Sequence, residues 1–131
     1  MDVLGTGTVV TNSVEFAYLS AGGDDRRRPL ALCLHGFPDT AHGWRHLLPA
    51  LADAGFRAIA PFQRGYAPTQ IPDDGCYQVG ALGVDANALH EALGGDSDAI
   101  IVGHDWGATG THAAAVLEPS RWRRVVTMAV P

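Results

Sequence analysis

Four short runs in this chain, Leu30-Ala31-Leu32-Cys33-Leu34, Phe56 to Ala60, Ala99 to Val102 and Val125 to Val130, are almost wholly apolar. A strand with one wet face alternates polar and apolar residues, whereas a run without alternation needs cover on both faces. Between the runs lie segments with helical spacing. Trp44, Leu47, Leu48 and Leu51 form one stripe, Leu82, Ala86, Leu89 and Leu93 another, and Ala108 to Leu117 is built from small residues that allow close packing. Gly55 and Gly94-Gly95 sit where helix C-caps belong, Pro49 limits how early the first helix starts, and Glu118-Pro119-Ser120 ends the third. This alternation predicts an α/β fold with a mostly parallel sheet and flanking helices. Ahead of it, Thr8 to Tyr18 puts Val14, Phe16 and Tyr18 on one face around a turn at Thr11-Asn12-Ser13, the pattern of an N-terminal antiparallel hairpin at the sheet edge. The long loop from Pro61 to Gln78, with Pro68, Pro72 and Asp73-Asp74-Gly75, is a functional candidate by its length.

A chain of 131 residues, 47% hydrophobic and 18% charged, reads as one globular domain at most. Its net charge is -5, and its nine basic residues are all arginine, most densely clustered at Arg26-Arg27-Arg28. The expected partners therefore include neither nucleic acid nor membrane. No apolar run approaches the roughly 18 residues of a membrane span, and Met1-Asp2-Val3 lacks the basic start of a signal peptide, so the cytoplasm is the expected compartment. Cys33, inside an apolar strand, and Cys76, in a polar loop, read as reduced thiols, the first of them inert. No cofactor is expected, because Gly5-Thr6-Gly7 lacks both a preceding strand and the third glycine of a dinucleotide loop. Nor is a metal: His42 and His46 are four apart and could share a helix face, yet they have no glutamate partner or third ligand. The oligomeric state is left open.

The chemistry concentrates in Gly103-His104-Asp105-Trp106-Gly107, which follows the run Ala99 to Val102 and precedes Ala108 to Leu117. That context is a sharp strand-to-helix turn. A side chain held up on so tight a turn leaves no room for Cβ groups two residues to either side, a demand that Gly103 and Gly107 meet. The central position usually carries serine, which attacks acyl carbons. Asp105 offers a carboxylate, which displaces at a saturated, polarised carbon and so points to epoxides or carbon–halogen bonds.

A second motif, His35-Gly36-Phe37-Pro38, follows the run at Leu30 to Leu34. Together with the elbow, with Gly43-Trp44-Arg45-His46-Leu47-Leu48-Pro49-Ala50-Leu51-Ala52, with Ala54-Gly55-Phe56-Arg57, and with Pro61 and Gln63-Arg64-Gly65-Tyr66, it resembles the epoxide hydrolase branch of the α/β-hydrolase superfamily. The resemblance runs from about the first strand to Pro131. It implies that Asp105 is the nucleophile, that the backbone N–H groups of Phe37 and Trp106 form an oxyanion hole, that the partner is a small apolar epoxide or related electrophile, and that an epoxide becomes a vicinal diol through an ester. His35, Gly36, Pro38, Gly103, His104 and Gly107 support the two motifs. His35 is expected to fix its turn by hydrogen bonds, His104 to be a satisfied core histidine at the buried end of a strand, and the Trp106 side chain to line the pocket floor. Tyr66 and Tyr77 are expected at the surface or the pocket edge.

The chain also departs from that family. The family's general base, its orienting acid and the cap carrying acid tyrosines come later than Pro131, so residues 1–131 are expected to be the N-terminal part of one α/β-hydrolase domain. Of the six histidines none matches the base. Phe62 stands where the family commonly has an aspartate before x-Arg-Gly, which leaves the partner of Arg64 open. Haloalkane dehalogenases share the elbow and the ester, but the Phe37 side chain cannot donate a hydrogen bond to halide, which favours epoxides. A third reading is a catalytically silent truncated domain. In it Val125 to Val130 becomes an exposed apolar edge and Asp105 stays wet, so the isolated piece is expected to be marginally stable with negligible turnover.

Overall fold

The computed structural model describes residues 4–130; Met1-Asp2-Val3 and Pro131 lie outside them. Six strands, β1 (Gly5–Thr11), β2 (Val14–Ala21), β3 (Leu30–Leu34), β4 (Arg57–Pro61), β5 (Ile100–His104) and β6 (Arg124–Met128), form one sheet in the order β1-β2-β4-β3-β5-β6. β3 runs parallel to β4 and β5, and β5 to β6. The β1–β2 hairpin is antiparallel and joins the sheet through an antiparallel β2–β4 pairing. Its register pairs Thr11 with Val14, leaving Asn12 and Ser13 as a two-residue loop with φ of 49° and 61°. Positive φ at both positions matches the twist of the paired strands.

The unalternating run at β3 has the expected cause. All five of its residues are buried, and Leu30, Leu32 and Leu34 pack with Phe16, Leu89 and Ile101 on one face of the sheet. Cys33 turns to the other face, with Trp44, Leu48, Phe62 and Val102. Three helices cover the sheet: α1 (Leu47–Asp53), α2 (Val79–Ala92) and α3 (Trp106–Leu117). Small residues set the α2–α3 distance. A Cβ placed on Gly83 would stand 2.7 Å from the Cβ of Ala113.

The first helical stripe divides where the periodicity suggests one helix. Trp44 closes a short 3-10 helix (Ala41–Trp44), and α1 begins afresh at Leu47. Thr40 caps the short helix, its Oγ1 accepting from the His42 N–H. Pro49 falls in the first turn of α1, where a missing N–H costs no helical bond. His42 therefore lies in the 3-10 helix and His46 in the turn before α1, rather than both on one helix face. At the far edge, β6 pairs among the described residues only with β5, and Val125 and Val126 are 41% and 43% exposed.

The long loop after β4 is fastened at several points. Arg64 donates to Asp85 on α2 through Nε at 2.6 Å and Nη2 at 3.0 Å, and to Asp74 at 3.3 Å. Asn12, from the hairpin loop, donates to the same Asp85 at 2.8 Å. Thr69 accepts from the Ala17 N–H and donates to the Phe62 carbonyl.

Candidate active site

Two adjacent parallel strands, β3 and β5, deliver the two motifs to the same end of the sheet. After β5 the chain turns at Asp105, whose φ of 57° and ψ of -120° lie outside the regions open to ordinary residues. Such strain persists only where its surroundings enforce it. Here the Asp105 N–H donates to the Met128 carbonyl at 3.1 Å, and the Asp105 carbonyl accepts from Ala108 at 2.9 Å as α3 begins. The glycines behave as the turn requires. A Cβ on Gly107 would strike the Leu34 and His35 carbonyl oxygens, and one on Gly103 would strike the Gly107 carbonyl and the Thr111 hydroxyl. Gly36 lies so near that a Cβ there would stand 2.5 Å from the Cβ of Asp105.

The closeness of Gly36 brings the His35–Pro38 turn against the carboxylate. The Phe37 N–H donates to Asp105 Oδ2 at 3.1 Å, although the Phe37 side chain is 71% exposed. The Phe37 amide, then the Trp106 amide at the head of α3, hold the Asp105 carboxyl below the usual carboxylate range, and His104 adds a smaller electrostatic pull in the same direction. Asp105 is thus ionised at neutral pH.

His35 is 1% exposed. Its Nε2 accepts from the Gln63 N–H at 3.1 Å and its Nδ1 faces the Gly36 carbonyl at 3.0 Å, an arrangement that suits a neutral ring protonated at Nδ1. Burial pushes its pKa down, which fits the same form. The ring therefore fixes the turn, as its position in the motif implies. Tyr66 meets it edge-on at 4.5 Å and is partly exposed. Tyr77 is 43% exposed.

One expectation about the site fails. His104 is exposed rather than a satisfied core histidine, because the last residue of β5 projects past the covered part of the sheet. Together with His35, Asp39, Trp44 and Met128 it lines a cavity of about 250 Å3 beside the elbow. The question left by Phe62 is answered: Arg64 pairs with Asp85, a residue the sequence reading did not single out. The available signal was an acidic residue three places after Leu82 on the apolar stripe of α2. Phe62 itself is buried and meets His42 edge-on at 5.5 Å.

The family model for the alpha/beta hydrolase fold matches residues 29–131. The chain belongs to that family. Epoxide hydrolase A of Mycobacterium tuberculosis is 39% identical over 124 residues, covering 94% of this chain and 38% of that protein. An epoxide hydrolase of Caballeronia sordidicola is 40% identical over 124 residues, 36% of its own length. The crystal structure of epoxide hydrolase A from Mycobacterium thermoresistibile superposes with a TM-score of 0.87 at 38% identity, covering 98% of this chain and 40% of that one. This α/β hydrolase chain therefore spans about two fifths of the length of the relatives it matches. The fold expected from its apolar runs and hairpin, and its resemblance to epoxide hydrolases, both hold. Among the described residues no helix is long and apolar enough to cross a membrane.

Proposed function

We propose that this chain carries the nucleophile and oxyanion-hole portion of an epoxide hydrolase. The observation that carries the reading is a carboxylate, Asp105, perched on a positive-φ elbow and faced by the backbone N–H groups of Phe37 and Trp106. Its relatives named as epoxide hydrolases favour the same substrate class. In the proposed reaction Oδ1 attacks a ring carbon of a small apolar epoxide. The ring C–O bond breaks, the released alkoxide takes up a proton, and Asp105 becomes an alkyl ester. Oδ2, already on the Phe37 N–H, becomes the ester carbonyl oxygen.

Water then adds to that carbonyl carbon, and the charge developing on Oδ2 falls on the two amides. Collapse of the tetrahedral adduct expels the diol and restores the carboxylate, one of whose oxygens now comes from water. No described histidine is hydrogen-bonded to Asp105, and His35 is committed to its turn, so the role of water-activating base is assigned to none of them. Gly103 and Gly107 make room for the elbow, Gly36 admits the carboxylate, and His35 and Pro38 shape the turn that presents Phe37.

The test is a single turnover of a terminal epoxide by the active enzyme in oxygen-labelled water. Peptide mass spectrometry should find the label in the Asp105 carboxylate. Label confined to the diol would rule out the ester, and halide release from a chloroalkane in place of diol formation would assign the same nucleophile to dehalogenation.

A further inference from the structure

Asp105 follows the last residue of β5, whereas Arg57 is the first residue of β4; both strands run parallel to β3, so the two residues lie at opposite ends of the sheet. Around Arg57 opens a cavity of about 430 Å3, between β2, β4 and the C-terminal end of α2. The volume is in the range of small-molecule sites. Arg57 is 4% exposed. Its hydrogen bonds are Nε to the Arg28 carbonyl at 3.4 Å and Nη2 to the Gly94 carbonyl at 3.3 Å, both long, against the five N–H donors a guanidinium carries.

A second cation lies beside it. The guanidinium of Arg26 occupies the space a side chain on Gly94 would take. After burial, the strongest influence lowering the pKa of Arg57 is this neighbour. Asp96 and Asp24 act in the opposite sense, yet among the described residues neither makes an ion pair with Arg26 or Arg57. Asp24 also lines the cavity. From β2, Ser20 and Tyr18 turn to the same cavity, and neither hydroxyl has a protein partner among the described residues. The bond from Arg57 to the Gly94 carbonyl ties β4 to the turn after α2, but it does not explain why another arginine is brought against it. Two close cations with unused donors, one of them only 4% exposed, suit an oxyanion with several acceptor oxygens.

We propose that this cavity binds the phosphate group of a small molecule, with Arg57 and Arg26 as its charged ligands and the Ser20 and Tyr18 hydroxyls as further donors. The site is remote from Asp105 and stands independently of the epoxide reading. The experiment titrates the purified protein with inorganic phosphate, with glycerol phosphate and with chloride at matched ionic strength, read by calorimetry and by phosphorus NMR line width. Saturable binding of either phosphate but not of chloride is expected. Arg26→Ala should weaken it by about tenfold, the loss of one charge-assisted contact. Arg26 is exposed, so that variant tests the site without disturbing the core; Arg57→Met tests the buried ligand. Tighter binding of glycerol phosphate than of inorganic phosphate would identify a phosphomonoester, and equal binding the free anion. No saturable binding, or binding unchanged in Arg26→Ala, would overturn the proposal.

Discussion

Asp85→Ala should destabilise the protein by about 4 kcal/mol. Arg64 and Asp85 are 1% and 6% exposed in their side chains and are joined by bonds of 2.6 and 3.0 Å. Removing one member of such a pair strands the other charge, at a cost of about 3–5 kcal/mol. Arg64 would keep Asp74, 60% exposed at 3.3 Å, and the Cys76 carbonyl, which places this contribution near the lower end. The bond from Asn12 at 2.8 Å is lost as well, worth about 1 kcal/mol. Against a domain stability of about 5–15 kcal/mol the sum is large. Urea denaturation of wild type and variant measures it. Asp74→Ala, at the exposed end of the same network, should cost no more than about 1 kcal/mol. Arg64→Met combined with Asp85→Ala should recover much of the loss, because no buried charge is left unpaired. If Asp85→Ala unfolds at the same urea concentration as Asp74→Ala, the network does not hold the loop as argued.

Three further outcomes are expected. Burial lowers the pKa of both His35 and His90 from 6.5, so below about pH 6.5 the unfolded chain binds more protons than the folded one and stability falls as the pH drops toward the folded values. Urea midpoints should therefore decrease from about pH 7.5 to about pH 5.5, less steeply in His90→Gln; a flat profile would contradict the burial argument. The Cys33 thiol is pushed up to about 12 by burial, so a thiol reagent should label Cys76 in the native protein and Cys33 only with unfolding, as peptide mapping would reveal. Gly107→Ala drives a Cβ into the Leu34 and His35 carbonyl oxygens, so it should lower the melting temperature and, with it, the ester formation proposed for Asp105; a variant with wild-type melting would show that the turn has slack.

Much of the fold was legible because its signals are local. β3 is buried on both faces, and a run of five apolar residues says so without knowledge of its neighbours. The hairpin loop needed two residues tolerant of positive φ, and Asn12-Ser13 supplied them. The elbow was readable for a steric reason: its two glycines answer clashes from atoms a few residues away or on the adjoining strand. His104 was misread because the burial of a strand's last residue depends on what covers that end of the sheet, which no local pattern records. Asp85 was missed because its partners, Asn12 and Arg64, stand 73 and 21 residues away in sequence. A charge on an apolar helical stripe signals that a partner exists, but not where it is.

The proposed chemistry sets the two amides at Asp105 a double task. In the resting site they stabilise the carboxylate, which lowers its pKa and makes it a weaker nucleophile toward the ring carbon. In the ester they face the carbonyl oxygen, and they gain strength as water adds and charge returns to it. Geometry that slows the first step thus speeds the second. An enzyme so built should accumulate little ester unless the attacking water lacks its base, so a variant deprived of that base should stall with Asp105 alkylated. Loss of the base with no trapped adduct would mean that the amides serve the carboxylate alone.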